Sequence, residues 1–517
     1  MNTIKNIRPF ALLLVLVVGL AACTPAATAI PTAVSEPTAT KLPPTEAPEP
    51  TETQAPTATG PEAEPTVDLS AVGDLIVGRW EGALTVAGSS LGNVVNFEIV
   101  DNSLQATLDI PEQNLSDYPL SAVSFDGENV HFEAFEGNRL ATWDGALNED
   151  GTIEGTFVQA GYEGTFELFP IAMVTEELPY TSEDVTFQNG DITLAGTLTI
   201  PEGEGPFPTI VLITGSGAQN RDEEIYGFKI FGQIADHLTR NGIAVLRYDD
   251  RGVGGSSGEL ITSTSADLAG DVVAAVNYLL TRPEVDPDAI GLLGHSEGGI
   301  IAPMVAEQSE AVDMLILMAG TALPGEEIIY QQVERLMRAG GSSQEDIDAA
   351  LEEQHRIFDA LLRDGDWEAT KAGLHQEIVD QVEALNDAQK EAIGDVDAYT
   401  ETLYQQQVLT LESAWYRYFL TYDPAPTLEK TTIPVLALFG GLDMQVPADT
   451  NAPVMEAALA QAGNSDVTVN IYPQANHLFQ SAITGSSTEY ASLPAEFVPD
   501  FLDDITTWIL AHASGAQ

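Results

Sequence analysis

The alternation of apolar and polar positions changes character along this 517-residue chain. Residues 93–100 (NVVNFEIV), 103–110 (SLQATLDI), 129–135 (NVHFEAF) and 164–169 (GTFELF) alternate with a period of two. Asp126-Gly127, Glu136-Gly137-Asn138 and Glu149-Asp150-Gly151 mark turns between such segments. That rhythm predicts an antiparallel β domain, a sandwich or a lipocalin-like barrel, over residues 67–172. From residue 180 onward the pattern becomes strand, helix, strand. After the alternating segment 192–200, continuous apolar runs occur at 209–214 (TIVLIT), 243–248 (IAVLRY), 290–293, 314–318 and 434–439 (PVLALF), as strands buried on both faces require. Residues 228–240, 265–280, 297–308 and 451–462 read as the helices between them. Together they predict an α/β domain over 180–517 with a mainly parallel, doubly wound sheet. Between 319 and 433 the alternation stops and three helices are expected, at 326–338, 344–362 and 371–385. Residues 322–430 therefore read as a helical cap inserted between two strands.

The first 66 residues carry neither rhythm. Lys5 and Arg8 precede the apolar run 9–20, and Leu20-Ala21-Ala22-Cys23 follows. Residues 1–22 read as an export signal, and the tetrapeptide resembles the lipobox of bacterial lipoproteins, in which the cysteine is lipidated. Cys23 is the sole cysteine in the sequence, so disulfides within the chain and thiol chemistry are excluded. Residues 23–66, rich in Pro, Thr, Ala and Glu, are expected to be a disordered tether. No later run approaches membrane length, so the expectation is a lipid-anchored protein on the extracytoplasmic face of a bacterial cell. The 79 acidic and 19 basic residues give a formal charge of −60, which excludes a nucleic-acid partner for want of a phosphate-neutralising patch.

The chemistry is concentrated at Gly294-His295-Ser296-Glu297-Gly298, where an apolar run ends in Gly-x-Ser-x-Gly and small and apolar residues resume. This is the signature of a tight strand-to-helix turn that presents a serine hydroxyl above a sheet. A serine hydroxyl needs a base and an orienting acid. Of the seven histidines, His131 lies in the β domain, His355 and His375 on cap helices, His237 on an earlier helix and His512 near the end. His295 belongs to the turn itself and faces the wrong way for its neighbour. His477 remains, in a loop after the strand 467–472. Asp443, in Gly440-Gly441-Leu442-Asp443 after the strand PVLALF, is the candidate acid. The developing oxyanion needs two backbone N–H groups, expected from Glu297 and from Ser216 in Thr214-Gly215-Ser216-Gly217, with Gly217 close behind. The other glycine-rich loop, residues 249–256, places Ser257 where a dinucleotide fingerprint needs its last glycine, and no P-loop is present. No cofactor and no metal are expected.

These residues resemble the α/β-hydrolase superfamily from about residue 183 onward, with Ser296, Asp443 and His477 in its triad order. Residues 215–223 (GSGAQNRDE), 250–254 (DRGVG), 415–419 (WYRYF) and 422–424 (YDP) are similar to bacterial EstD-like serine esterases, with Ala218 where proline is expected. The resemblance implies carboxylesterase activity on small acyl esters, through an acyl-enzyme and without a cofactor. A serine peptidase of the same fold, and a ligand-binding β domain carrying a subsidiary hydrolase, are the rival readings. Trp415, Tyr418 and Tyr422, with Gly217 and His295, are candidate substrate-pocket residues, the aromatics alternatively packing the cap onto the sheet. Arg221, Asp222 and Arg251 are expected to brace the loops around the site.

Overall fold

A computed structural model of the protein describes residues 75–513, except 87–88, 101–102, 111–114, 137–138, 149, 160–161, 172–177, 387–389, 391–392 and 394. The export signal, Cys23 and the tether lie outside the described residues. Contacts divide the chain into two compact units, with the break between Thr175 and Glu176.

The first unit is a nine-stranded antiparallel meander: β1 (Gly78–Val86), β2 (Ser89–Val100), β3 (Ser103–Ile110), β4 (Leu115–Pro119), β5 (Ser121–Phe125), β6 (Asn129–Glu136), β7 (Arg139–Leu147), β8 (Ile153–Gln159) and β9 (Tyr162–Ile171). The order β4-β3-β2-β1-β9-β8-β7-β6-β5 joins first strand to last. The ring is nearly closed, because Leu120, between β4 and β5, donates its N–H to Ala106 O at 2.9 Å. A near-barrel thus replaces the sandwich alternative. Period-two patterning turns one face of every strand inward, and Trp80, Phe97, Phe132, Trp143, Phe157 and Phe166 fill the interior. Asn93 points into this aromatic core fully buried, with neither amide atom hydrogen-bonded.

The second unit is built on eight strands: β10 (Tyr180–Asn189), β11 (Ile192–Pro201), β12 (Phe207–Ile213), β15 (Ala244–Tyr248), β16 (Val285–His295), β17 (Met314–Met318), β18 (Val435–Gly440) and β19 (Val467–Tyr472). A short hairpin of β13 (Glu224–Ile225) and β14 (Phe228–Lys229) stands apart. The sheet order is β10-β11-β15-β12-β16-β17-β18-β19. The first two pairings are antiparallel and the rest parallel. Five helices flank it: α1 (Ile230–Arg240), α2 (Ser265–Leu279), α3 (Gly298–Gln308), α10 (Ala448–Gln461) and α11 (Phe501–Ala513).

Alternation explains the layering. Val211, Ile213, Leu315, Leu317, Val435, Ala437 and Phe439 pack on one face with α2, α3 and α10. Ile210, Leu212, Met314, Ile316, Leu436 and Leu438 pack on the other with α1 and α11. A strand sandwiched in this way has no polar face, hence the continuous apolar runs.

Between β17 and β18 stand α4 (Gly325–Ala339), α5 (Gln344–Leu362), α6 (Trp367–Glu383), α7 (Val396–Glu412), α8 (Ala414–Thr421) and α9 (Ala425–Leu428). Three of these were expected; α7 was not, because its buried positions are Thr400, Gln407 and Leu411. The two ends of this cap meet where Gly325 N–H donates to Tyr422 O at 3.3 Å. Among the described residues, no helix is long and apolar enough to cross a membrane.

Candidate active site

β16 ends at His295 and α3 begins at Gly298, so the chain reverses within two residues. Ser296 takes the strain with φ of +53°, in the left-handed region that side chains enter at a cost. Both flanking glycines are required: a Cβ on Gly294 would lie 2.0 Å from Gly298 O, and one on Gly298 would lie 2.2 Å from Ile213 O. Ser296 N–H donates to Met318 O at 2.8 Å, fastening the turn to the end of β17. Ser296 is part-exposed between buried neighbours. Among the described residues, Ser296 Oγ makes no hydrogen bond, and such bonds often tighten only when substrate binds.

The candidate acid and base come together. Asp443 Oδ2 lies 2.8 Å from His477 Nδ1, with both side chains buried. Asp443 Oδ1 accepts the N–H groups of Gln445 (2.7 Å) and Val446 (2.9 Å), which aims the other oxygen at the ring. The His477 loop is fixed from within by Asn476, whose Oδ1 accepts the N–H of Leu478 (3.0 Å) and of Gln480 (2.9 Å). Nothing in the sequence singled out Asn476.

The loop after β12 lies against Ser296, since a Cβ on Gly215 would stand 3.4 Å from Ser296 Cβ. Asp250, buried after β15, anchors this loop twice: Oδ1 accepts Thr214 Oγ1–H (2.8 Å) and Oδ2 accepts Gln219 N–H (2.9 Å). Burial pushes the Asp250 carboxyl well above the usual carboxylate range, against those hydrogen bonds and with help from Glu223 and Glu297. Ser216 and Gly217 are part-exposed in the same loop, Gly217 at φ +97°. The N–H of Glu297 precedes the first intrahelical bond, Ile301 N–H to Glu297 O at 3.0 Å, as an oxyanion donor at a helix start must.

Of the candidate pocket residues, His295 turns out differently and Trp415 takes the packing role left open for it. His295 is 2% exposed, with both ring nitrogens engaged: Nδ1 lies 2.8 Å from Glu223 Oε1, and Nε2 lies 3.1 Å from His477 O. It lies inside the protein and offers no nitrogen to a ligand. Trp415 is buried on α8, stacked on Phe419, and donates Nε1–H to both carboxylate oxygens of Glu297 at 2.9 Å. Glu297 also accepts Ser265 Oγ–H at 2.6 Å, so one acid joins the turn, α2 and the cap. Burial raises the Glu297 carboxyl, offset in part by these two donors. Tyr418 and Tyr422 stack on each other, both part-buried, and Tyr422 Oη pairs with Thr427 Oγ1 at 2.8 Å.

The braces are ion pairs. Arg221 Nη2 meets Asp249 Oδ2 at 2.7 Å, Arg247 Nε meets Asp222 Oδ1 at 2.8 Å, and Arg251 Nε meets Asp271 Oδ2 at 2.6 Å. No cluster of three or more His, Cys, Asp or Glu among the described residues could hold a metal ion.

Known proteins resemble this chain over the same region. The family described as serine aminopeptidase, S33, matches residues 228–481. Esterase EstD of Thermotoga maritima is 29% identical over 386 residues, 74% of this chain and 78% of that protein. That stretch is longer than the 176–517 unit, so the likeness reaches into the β unit. An uncharacterized Mycobacterium tuberculosis protein is 27% identical over 154 residues, 30% of this chain and 51% of its own length. An esterase of Pyrococcus furiosus aligns with 67% of this chain and 95% of its own at 14% identity, with a TM-score of 0.41. The sheet order and the strained serine turn after β16 are those of an α/β-hydrolase-like fold, and the likeness to EstD agrees with it.

Proposed function

We propose that this protein is a serine carboxylesterase acting on small acyl esters through an acyl-enzyme. His477 Nε2 takes the Ser296 proton as Oγ attacks the ester carbonyl, while Asp443 fixes the tautomer and stabilises the imidazolium. The N–H groups of Glu297 and Ser216 receive the oxyanion, and His477 returns the proton to the leaving alcohol. Water, deprotonated by the same histidine, then attacks the acyl carbonyl and frees Ser296. One observation carries the reading: the left-handed Ser296 and the buried Asp443–His477 pair stand beyond the carboxyl ends of parallel strands of one sheet, where such folds place their chemistry.

A panel of p-nitrophenyl esters of graded acyl length, run beside a fluorophosphonate label mapped to its residue, tests it. Hydrolysis with label on Ser296, both abolished in Ser296→Ala, is expected; label on another residue overturns the assignment. The serine aminopeptidase description of the matched family favours one second reading, amide cleavage at a peptide amino terminus. Faster turnover of aminoacyl amides than of esters would select it. We further propose lipid anchoring at Cys23 on the extracytoplasmic face, for which loss of radiolabelled palmitate in Cys23→Ser is the check.

A further inference from the structure

Behind the candidate triad lies a second acid–imidazole pair that the proposed mechanism leaves unused. Glu223 is 1% exposed, sits at φ +45° and reaches the turn through a single oxygen. Its Oε1 accepts Gly215 N–H at 2.8 Å and lies 2.8 Å from His295 Nδ1, while Oε2 has no partner. On its other side, His295 Nε2 lies 3.1 Å from the carbonyl of His477, and the two rings are 4.8 Å apart. A carbonyl only accepts, so Nε2 carries a proton. Oε1 already accepts from Gly215, so a proton on Nδ1 completes the bond to it and a lone pair there would face another. With Glu223 ionised, the pair is an imidazolium beside a carboxylate. Burial alone would lower the His295 pKa, but the charge and hydrogen bond of Glu223, with the His477 carbonyl, raise it.

We propose that Glu223 and His295 form a positioning pair that fixes the oxyanion loop at Gly215 and the loop of the catalytic base at His477 relative to Ser296. The chain of contacts is continuous: Gly215 N–H, Glu223 Oε1, His295 ring, His477 carbonyl. Each end holds a group whose placement matters most as charge develops in the transition state. The proposal rests on the reading of Ser296 as nucleophile and His477 as base. The charged groups acting on His295 are Glu223 from the loop after β12 and Asp443 from the loop after β18, and the titratable His477 ring packs against it. Asp250 after β15 and Glu297 at the start of α3 complete the surrounding set, Asp250 sensing both Glu223 and Glu297.

Glu223→Gln is nearly isosteric and removes the charge. A glutamine cannot serve Gly215 N–H and a neutral His295 Nδ1 through one atom. Each variant is assayed on p-nitrophenyl acetate in the full chain, with rates expressed per site titrated by fluorophosphonate. We expect kcat per titrated site to fall about ten- to a hundredfold with KM within about threefold, toward the loss seen when an oxyanion donor is removed. The acidic limb of kcat/KM moves to higher pH, because a cation beside the His477 ring is lost. The Glu223→Gln/His295→Gln double variant, which buries amides and no charge, falls no further than the worse single variant, as a unit requires. A merely structural role lowers the number of titratable sites and leaves kcat per site and the acidic limb in place; that result overturns the pair's role, as do additive losses. Hydrolysis surviving Ser296→Ala would instead overturn the active-site reading itself.

Discussion

Replacing Ser296 separates the cost of its backbone from the value of its hydroxyl. At φ +53° a side chain is held where L-residues are disfavoured, and Ser296 Oγ makes no hydrogen bond among the described residues that substitution would sacrifice. Ser296→Ala keeps the Cβ and hence the strain, whereas Ser296→Gly removes it. The left-handed conformation costs about 1–2 kcal/mol with a Cβ. Glycine returns about 0.4–1 kcal/mol of that through its freer unfolded chain. The glycine variant should therefore exceed the alanine variant by about 1 kcal/mol. For a unit of this size that is about 1–2 °C in melting temperature. Differential scanning calorimetry of the two full-length proteins under identical conditions reads the difference directly. Under the proposed mechanism both variants are expected to be inactive, so the stability gap is the informative quantity. An alanine variant that melts at or above the glycine variant would refute the claim that this turn stores strain for the sake of its serine.

The acid that joins the turn to the cap gives a pH-dependent test. Burial raises the folded-state pKa of Glu297 above its ordinary value of 4.5, so its contribution is fully present below about 4.5 and is lost as pH rises through the raised value. Glu297→Gln keeps acceptors for Ser265 and Trp415, and its stability relative to wild type should grow over that window; a gap independent of pH contradicts the assignment. Trp415→Phe withdraws the indole donor from a buried carboxyl, a loss of about 1–3 kcal/mol. It should lower thermal stability and speed amide exchange in α8, and unchanged exchange there would exclude a fastening role. In the β unit, Asn93→Leu removes two unpaired buried amide atoms and should stabilise by about 1–3 kcal/mol. Slower amide exchange in β2 and its partners is the expected readout, and faster exchange would show that the amide has a partner after all.

The parallel sheet was legible because burial on both faces leaves no other pattern available to runs such as TIVLIT and PVLALF. The turn at Ser296 was legible because two backbone approaches near 2 Å admit nothing but glycine at 294 and 298. The closeness of Asp443 and His477 could be approached by elimination, since few histidines follow a strand. The rest depended on side-chain direction, which spacing does not encode. His295 looked like a pocket residue from its place beside Ser296, yet the turn rotates it inward onto Glu223. For Trp415 the sequence left open a pocket role and a packing role, and only its direction shows that it binds the turn's own glutamate. Helix α7 escaped notice because it buries polar residues, and the closure of the β unit depended on a junction between β4 and β5 that alternation alone does not mark.

The meeting of the cap's two ends at Gly325 and Tyr422 bears on how such a protein changes over generations. A Cβ on Gly325 would lie 2.0 Å from Phe419 O, so the departing and returning chains are in backbone contact. For the scaffold, everything beyond that neck is one closed loop. Loop closure grows only logarithmically with length, so doubling or halving the excursion changes its entropic cost by about 0.6 kcal/mol. Recombination at the neck can therefore replace the covering layer in one event while the strands carrying Ser296, Asp443 and His477 keep their register. Inheritance of the candidate triad and inheritance of the helices built beyond the neck are thereby physically separable.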